Sequence, residues 1–308
     1  MRQAAPAISA APHAPDWLED AVREAGGRFV DVGADTDGLL WFGPGGAAGL
    51  AETLTLAPRA RWVQLPSAGV DAYLDGGVLD PRIRWTSAKG AFSEPVAEHA
   101  LALVLAALRR LPERARARSW GTEAGTSLFD AHVLVLGAGG IARSLLDLLA
   151  PFRTHNVVVR RRPDHVPGAV RVTTGEHLVE ELAHADVVVL AAALTARTRA
   201  LVGPAELAGM KPGAVLVNIA RGELVDTDAL VAALRSGQVG AAALDVTDPE
   251  PLPDGHPLWD LPTALVTPHT ADTSAMVEPL LRRRVVENLR RFVDGEPFVG
   301  AVDPATGY

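Results

Sequence analysis

The chain contains no cysteine, which excludes disulfides, thiolate metal sites and cysteine nucleophiles. Lysine is nearly absent: Lys89 and Lys211 are the only two, so almost all positive charge is arginine. Positive charge as a whole is in the minority, with 29 Lys plus Arg against 37 Asp plus Glu and a formal net charge of -8. That balance argues against a large nucleic-acid or anionic-membrane footprint, while leaving room for one small basic pocket. Long apolar runs are missing as well. The longest reach ~10 residues where a membrane span needs ~18, and Met1–Pro15 lacks the apolar stretch of a signal peptide. The expectation is a cytoplasmic protein that binds neither membrane nor nucleic acid. At ~150 residues per domain, 308 residues make about two domains.

What is present reads as alternating strands and helices. From Gly27 to Ala91, short apolar pieces (RFVDVG, GLLWFG, ARWVQL, IRWTSA) are separated by Gly, Pro and Asp, with helices predicted over 15–25 and 47–56. This pattern describes a small α/β domain. The periodic segment AEHALALVLAALRRLPERARAR is predicted as one long helix leading into a second domain, and its apolar first half argues for burial. Six strand-like runs follow: HVLVLG (132–137), NVVVRR (156–161), DVVVLAAAL (186–194), AVLVNIAR (214–221), AAALDV (241–246) and TALVTP (263–268). Near-continuous apolar strands with helical crossovers describe a doubly wound parallel sheet covered on both faces. One crossover helix, DTDALVAALRSG, has Asp226 or Thr227 as N-cap and Gly237 as terminator. The last helix, SAMVEPLLRRRVVENLRRFVDG, finds no strand partner inside this pattern.

The run VLVLGAGGIA holds Gly137, Gly139 and Ala142 in G-x-G-x-x-(G/A) spacing. The first glycine makes a tight turn, the second removes a side chain where a pyrophosphate must approach, and the small third residue permits helix–strand contact. The N–H groups of Gly140 and Ile141, at the helix start, would face that pyrophosphate. Following an apolar strand and opening a helix, the turn reads as dinucleotide-binding rather than merely structural. The next strand ends in Arg160, Arg161 and Arg162, where an acidic residue would otherwise accept from the adenosine ribose. Arginine suits a 2'-phosphate, which favours NADP over NAD, with Asp164 as the alternative ribose partner.

Together with segments downstream, these motifs resemble the D-isomer-specific 2-hydroxyacid dehydrogenase family. The resemblance runs from WVQLPSAGVD (62–71) to the C-terminal helix. It rests on the combination of AEHALALVLAALR, GAGGIA, ALTART (193–198), MKPGAVLVNIARGELVDTDAL (210–230), ALDVTDPEPLPDGHPLW (243–259) and VTPHT (266–270). The resemblance implies an α/β fold of two Rossmann-like doubly wound domains. The larger nucleotide-binding domain (98–271) would be inserted into a smaller substrate-binding domain (1–97 with 272–308), and two subunits would form a homodimer. It also implies reversible reduction of a 2-oxo acid to a D-2-hydroxy acid with NADP or NAD, as in glyoxylate or hydroxypyruvate reductases. Arg221 of NIARG matches the arginine that binds the substrate's carboxylate and carbonyl. Glu250 of TDPEP matches the acid paired with the catalytic histidine, and His269 of TPHT matches the proton donor and acceptor. Gly69 and Val70 match backbone donors to the substrate carboxylate. Thr195, Ala220 and Asp245 match cofactor-facing positions, the last near the nicotinamide carboxamide. Asp272 stands where glycine is common, a departure on the substrate side.

The chemistry can be argued from the residue types alone. Reducing a 2-oxo acid needs a cation for the carboxylate, polarisation of the carbonyl, a hydride and a proton. Arginine offers a planar five-donor fork matched to a carboxylate and an adjacent oxygen. A histidine titrates near neutrality, with a reference pKa of ~6.5, and a neighbouring carboxylate favours its imidazolium form. Arg221, Asp245 and His269 lie at the carboxyl ends of candidate strands, where open parallel sheets keep their sites. No metal is called for. The same Arg/His pair could serve phosphite or formate, and a non-catalytic, dinucleotide-sensing co-regulator would keep the fold without the turnover. The motifs leave the substrate's side chain undefined, with Trp41, Phe42, Leu65 and Trp259 as candidates to line its pocket.

Overall fold

The computed structural model describes residues 4–43 and 46–307; residues 1–3, 44–45 and 308, which include the start of the N-terminal stretch, lie outside. The chain divides into two compact units, Met1–Phe92 with Ser274–Tyr308, and Ser93–Thr273. Among the described residues no helix is long and apolar enough to cross a membrane.

The first unit is built on strands β1 (Ala7–Ala11), β2 (Arg28–Phe29), β3 (Gly38–Trp41), β4 (Trp62–Gln64) and β5 (Arg84–Thr86). These five are parallel, in the order β5-β4-β3-β1-β2, and the short C-terminal strand Ala301–Val302 pairs antiparallel with β5. The four expected strands form, although RFVDVG contracts to two residues. The fifth, β1, is AISAA, whose alanines carry weak strand preference. It is nonetheless an interior strand with Ile8 and Ser9 fully buried. Helix α1 (Leu18–Glu24) forms inside its expected span, α2 (Gly46–Leu56) begins one residue before its own, and α3 (Asp71–Asp75) follows β4. The C-terminal helix Ser274–Asp294 packs Val285, Leu289 and Phe292 among Ile8, Leu18 and Trp62. Its buried Arg284 donates to the carbonyls of Ser87 and Lys89. Trp41 and Leu65 are 3% and 0% exposed and fill the core of this unit, which corrects the expectation that they line a substrate pocket. Phe42 packs against the edge of Trp17.

The second unit carries seven parallel strands: β6 (His132–Leu136), β7 (His155–Val159), β8 (Arg171–Thr173), β9 (Val187–Leu190), β10 (Ala214–Asn218), β11 (Val239–Leu244) and β12 (Ala264–Val266). Their order is β12-β11-β10-β9-β6-β7-β8, so chain progression reverses between β6 and β9. That is the switch point where open α/β sheets bind ligands. Six strands match expected runs; β8, the three-residue RVT, has no apolar run to announce it. The single long helix expected after residue 93 is broken into α4 (Ser93–Leu108) and α5 (Leu111–Arg116), with Arg110 in the left-handed region at φ 53°. Pro112 explains the break. Inside a helix it would remove an N–H and clash with the preceding turn, whereas in the first turn of a new helix it is tolerated. The remaining helices are α6 (Gly140–Leu149), α7 (Leu178–Leu182), α8 (Pro204–Gly209), α9 (Thr227–Ser236) and α10 (Pro257–Asp260). The α9 signals act as expected: Asp226 accepts from the Ala229 N–H at 2.9 Å and Gly237 ends the helix at φ 77°. Buried residues of α4 pack it against α6, β10 and β11.

Candidate active site

The glycine turn lies between β6 and α6, at the switch point. Gly137 has φ 117°, and a Cβ there would stand 2.4 Å from the carbonyl oxygen of Ala191, just beyond β9. Only glycine satisfies both the conformation and the approach. Gly139 is the N-cap of α6, carries no side-chain cap, and would meet nothing within 4 Å of an added Cβ. The first-turn N–H groups, Gly140 and Ile141 among them, are therefore left for an anion in an open approach. This cradle fits a dinucleotide pyrophosphate. Past the end of β7, Arg160 leans on Asp164, with Nη1 3.5 Å from its carbonyl and Nη2 3.8 Å from its carboxylate. Arg161 and Arg162 are exposed. Beyond β9, the Thr195 N–H donates to Thr198 Oγ1 at 2.8 Å, and that hydroxyl donates to the Ala193 carbonyl at 2.7 Å, closing the loop on itself.

Arg221 follows β10, and a residue not singled out in the sequence shapes its turn. Asn218, 1% exposed, accepts from the Ala220 N–H at 3.1 Å and donates to the Arg221 carbonyl at 2.8 Å. Its only signal is a polar amide ending the otherwise apolar run AVLVN. The Arg221 guanidinium donates to the Ala220 carbonyl at 2.7 Å. Gly222 then touches the loop after β11 so closely that an added Cβ would lie 2.0 Å from the Thr247 carbonyl. Thr227 Oγ1 ties the same loop by donating to the Asp248 carbonyl at 2.7 Å. The arginine turn and the TDPEP loop are thereby held together, by close backbone approach at Gly222 and by the Thr227 side chain.

Glu250 projects from that loop, and its Oε1 is 2.7 Å from Nδ1 of His269. Both side chains are about half exposed, at 41% and 47%. His269 itself has φ 52°, unusual for a residue with a side chain. The turn is held by Asp245, which is 2% exposed. Its carbonyl takes the His269 N–H at 2.8 Å, and its carboxylate takes the N–H groups of Thr270 at 2.9 Å and Ala271 at 3.0 Å. The Thr267 hydroxyl donates to it at 2.5 Å and His99 lies 3.3 Å away. Burial alone would raise this carboxyl, but the hydrogen bonds outweigh it and hold the value down at about 2. Asp245, expected to face the cofactor, thus has its carboxylate occupied by protein donors. Asp272 moves the other way: burial raises it, with Asp245 adding to the effect and His269 and Arg221 opposing it.

In the first unit, Gly69 and Val70 lie between β4 and α3. Ser67 Oγ donates to the Gly69 carbonyl at 2.7 Å, and the Val70 side chain is buried in the core. Neither N–H bonds to another protein group among the described residues. Trp259, on α10, is 41% exposed and donates to the Pro253 carbonyl at 3.0 Å.

Residues 101–271 match the family model for the D-isomer specific 2-hydroxyacid dehydrogenase, NAD binding domain. An uncharacterised protein of Corynebacterium melassecola is 38% identical over 296 residues, covering 94% of this chain and 95% of its own length. Glyoxylate/hydroxypyruvate reductase B of Pectobacterium atrosepticum is 33% identical over 282 residues, 88% of this chain and 87% of that protein. The crystal structure of a D-isomer specific 2-hydroxyacid dehydrogenase from Xanthobacter autotrophicus Py2, in complex with NADPH and MES, matches with a TM-score of 0.83. Its sequence is 29% identical, and the match covers 99% of this chain and 100% of that one.

Proposed function

The chain belongs to the D-isomer-specific 2-hydroxyacid dehydrogenase family, and from that premise we propose that Arg221, Glu250 and His269 carry its chemistry. As a member it is an NAD(P)-dependent oxidoreductase that reduces a 2-oxo acid to its D-2-hydroxy acid. The observation that carries the site assignment is the 2.7 Å bond between His269 Nδ1 and Glu250, next to a turn that keeps Arg221 against the same loop.

Arg221 binds the substrate carboxylate and polarises the carbonyl through its fork of donors. With Nδ1 committed to Glu250, Nε2 is the atom of His269 that exchanges a proton with the substrate oxygen. Glu250 orients the ring through its bond to Nδ1. The N–H groups of Gly69 and Val70 belong to the same reading, as donors to the substrate carboxylate. Gly137, Gly139, Gly140 and Ile141 would hold the pyrophosphate, Arg160 and Arg161 a 2'-phosphate, and Thr195 and Ala220 the cofactor further along. When bound, the reduced nicotinamide supplies the hydride. A small 2-oxo acid of the glyoxylate or hydroxypyruvate kind is the substrate class we favour, given the similarity to the Pectobacterium reductase. A cytoplasmic location and a homodimer complete the proposal.

The test is kcat/KM against pH, in both directions, for wild type and Glu250→Gln with glyoxylate and hydroxypyruvate. Reduction needs the charged imidazole and oxidation the neutral one, so the two directions should respond to pH in opposite senses. Removing the carboxylate that orients the ring should lower kcat/KM in both directions with little change in cofactor affinity. If kcat/KM is unchanged in both directions, Glu250 does not position His269. If phosphite or formate turns over in place of both oxo acids, the substrate assignment is wrong.

A further inference from the structure

A second histidine stands behind the His269 turn, and the reading above leaves it without a task. His99, on α4, has its side chain 22% exposed, with Nε2 3.2 Å from Thr267 Oγ1 and 3.3 Å from Asp245 Oδ1. The Thr267 hydroxyl hydrogen is already directed to Asp245, at 2.5 Å. Towards His99 that hydroxyl can only accept, as can the carboxylate. Nε2 of His99 therefore carries a hydrogen and donates into the pair.

The arrangement has a consequence for the turn. Asp245 receives the N–H groups of three consecutive residues, His269, Thr270 and Ala271, one on its carbonyl and two on its carboxylate. The first of the three is the residue at φ 52°. A left-handed conformation at a residue with a Cβ persists only when its surroundings over-determine it. Here the Asp245 and Thr267 carbonyls take the His269 N–H and the buried Asp245 carboxylate takes the next two, and the side chains that hold that carboxylate are His99 and Thr267.

We propose that His99 is a positioning residue for the reaction: by donating from Nε2 to Asp245 and Thr267, it fixes the aspartate whose carbonyl and carboxylate together hold backbone 269–271, and so aims the His269 imidazole. The proposal rests on His269 being the proton donor. His99 touches no reacting atom in this scheme. It acts through Asp245, and its effect is on the delivery of the proton rather than on the binding of cofactor or oxo acid.

The experiment compares His99→Leu, which has no donor, with His99→Gln, whose amide can present an N–H near the position of Nε2. Thr267→Val supplies an independent arm that removes the other side-chain donor to Asp245, and His269→Gln serves as reference. The measurements are Tm, cofactor Kd by fluorescence titration, kcat and KM for the oxo acid, and the solvent deuterium isotope effect on kcat. We expect His99→Leu to lower kcat about 10- to 100-fold, the order that a misplaced reacting group loses. KM and cofactor Kd should stay within about threefold, and the isotope effect should rise as proton delivery becomes limiting. His99→Gln should recover kcat to within about threefold of wild type, and Thr267→Val should resemble His99→Leu. The proposal fails if folded His99→Leu keeps kcat within twofold of wild type, or if folded His99→Gln is as slow as His99→Leu. If neither His99 variant folds, unchanged kcat in Thr267→Val overturns it. Should His269→Gln itself retain wild-type kcat, the assignment of His269 falls, and this inference with it. A loss in His269→Gln without a loss in His99→Leu sinks the inference alone.

Discussion

Asp245 shows how a single carboxylate can hold a turn that bears a reactive side chain. Four protein donors converge on its two oxygens, from His99, Thr267, Thr270 and Ala271. They pull its carboxyl from the ordinary 3.8 to about 2. A carboxyl depressed on folding contributes stability that is present above its unfolded value and is lost as pH falls through the folded one. The shift corresponds to about 2 kcal/mol at neutral pH. Asp245→Asn should therefore destabilise the protein by about that much in urea unfolding at pH 7. The gap to wild type should narrow as pH drops from 4 towards 2. A gap that does not change with pH would mean the loss comes from hydrogen-bond geometry rather than charge. Asp272 has the opposite sign, since a carboxyl raised by burial is a charge held at a cost. Such a cost beside His269 and Arg221 is what a site residue, rather than a stabilising one, tends to show.

Elements position these residues through their ends. Strand β10 delivers Arg221, β11 delivers Asp245 and the loop of Glu250, and β12 delivers His269, all at the carboxyl edge of one parallel sheet. Strand β7 ends in the arginine run, where Arg160 turns to Asp164 and Arg161 stays exposed. If that run meets a 2'-phosphate, wild type should show the higher kcat/KM with NADPH, and Arg161→Asp should weaken NADPH use selectively. A tenfold wild-type preference for NADH, about 1.4 kcal/mol the other way, would refute the arginine argument. Most elements were legible in the sequence because near-continuous apolar runs bounded by glycine and proline leave few alternatives. Those that were not have specific causes. β1 is Ala-rich and β8 is short and polar, so neither carries an apolar pattern, and both form because neighbouring strands offer a ladder. The helix after residue 93 reads as continuous until Pro112 is weighed against its periodicity.

For the molecule as a whole, the open question is what meets its exposed apolar side chains. On the second unit, Trp120 is 99% exposed, and Leu111 and Phe129, in the same stretch of chain, are 54% and 50% exposed. A second copy of the chain is the partner that the proposed homodimer supplies, since buried tryptophans dominate such interfaces. Light scattering should then give twice the 32.3 kDa of one chain. Trp120→Glu should shift the protein to monomer by burying an unpaired charge at the contact. A wild type that runs as a monomer at micromolar concentration would remove the homodimer from the proposal.

The sequence by itself determined the parallel sheet of the second unit, the glycine turn at its switch point, and which residue types stand at the strand ends. Each of these is local: an apolar run, a spacing of small residues, a polar residue closing a strand. Only the tertiary structure decided what those residues touch. That Asn218 folds the Arg221 turn, that Gly222 must be bare to meet Thr247, that Asp245 faces inward to the backbone, and that His99 stands behind it are contacts of this second kind. His99 and Thr267 are 168 residues apart in the chain. The physical reason is that a pattern reports the face on which a side chain lies, whereas its partner is set by packing between elements, which a linear spacing does not encode.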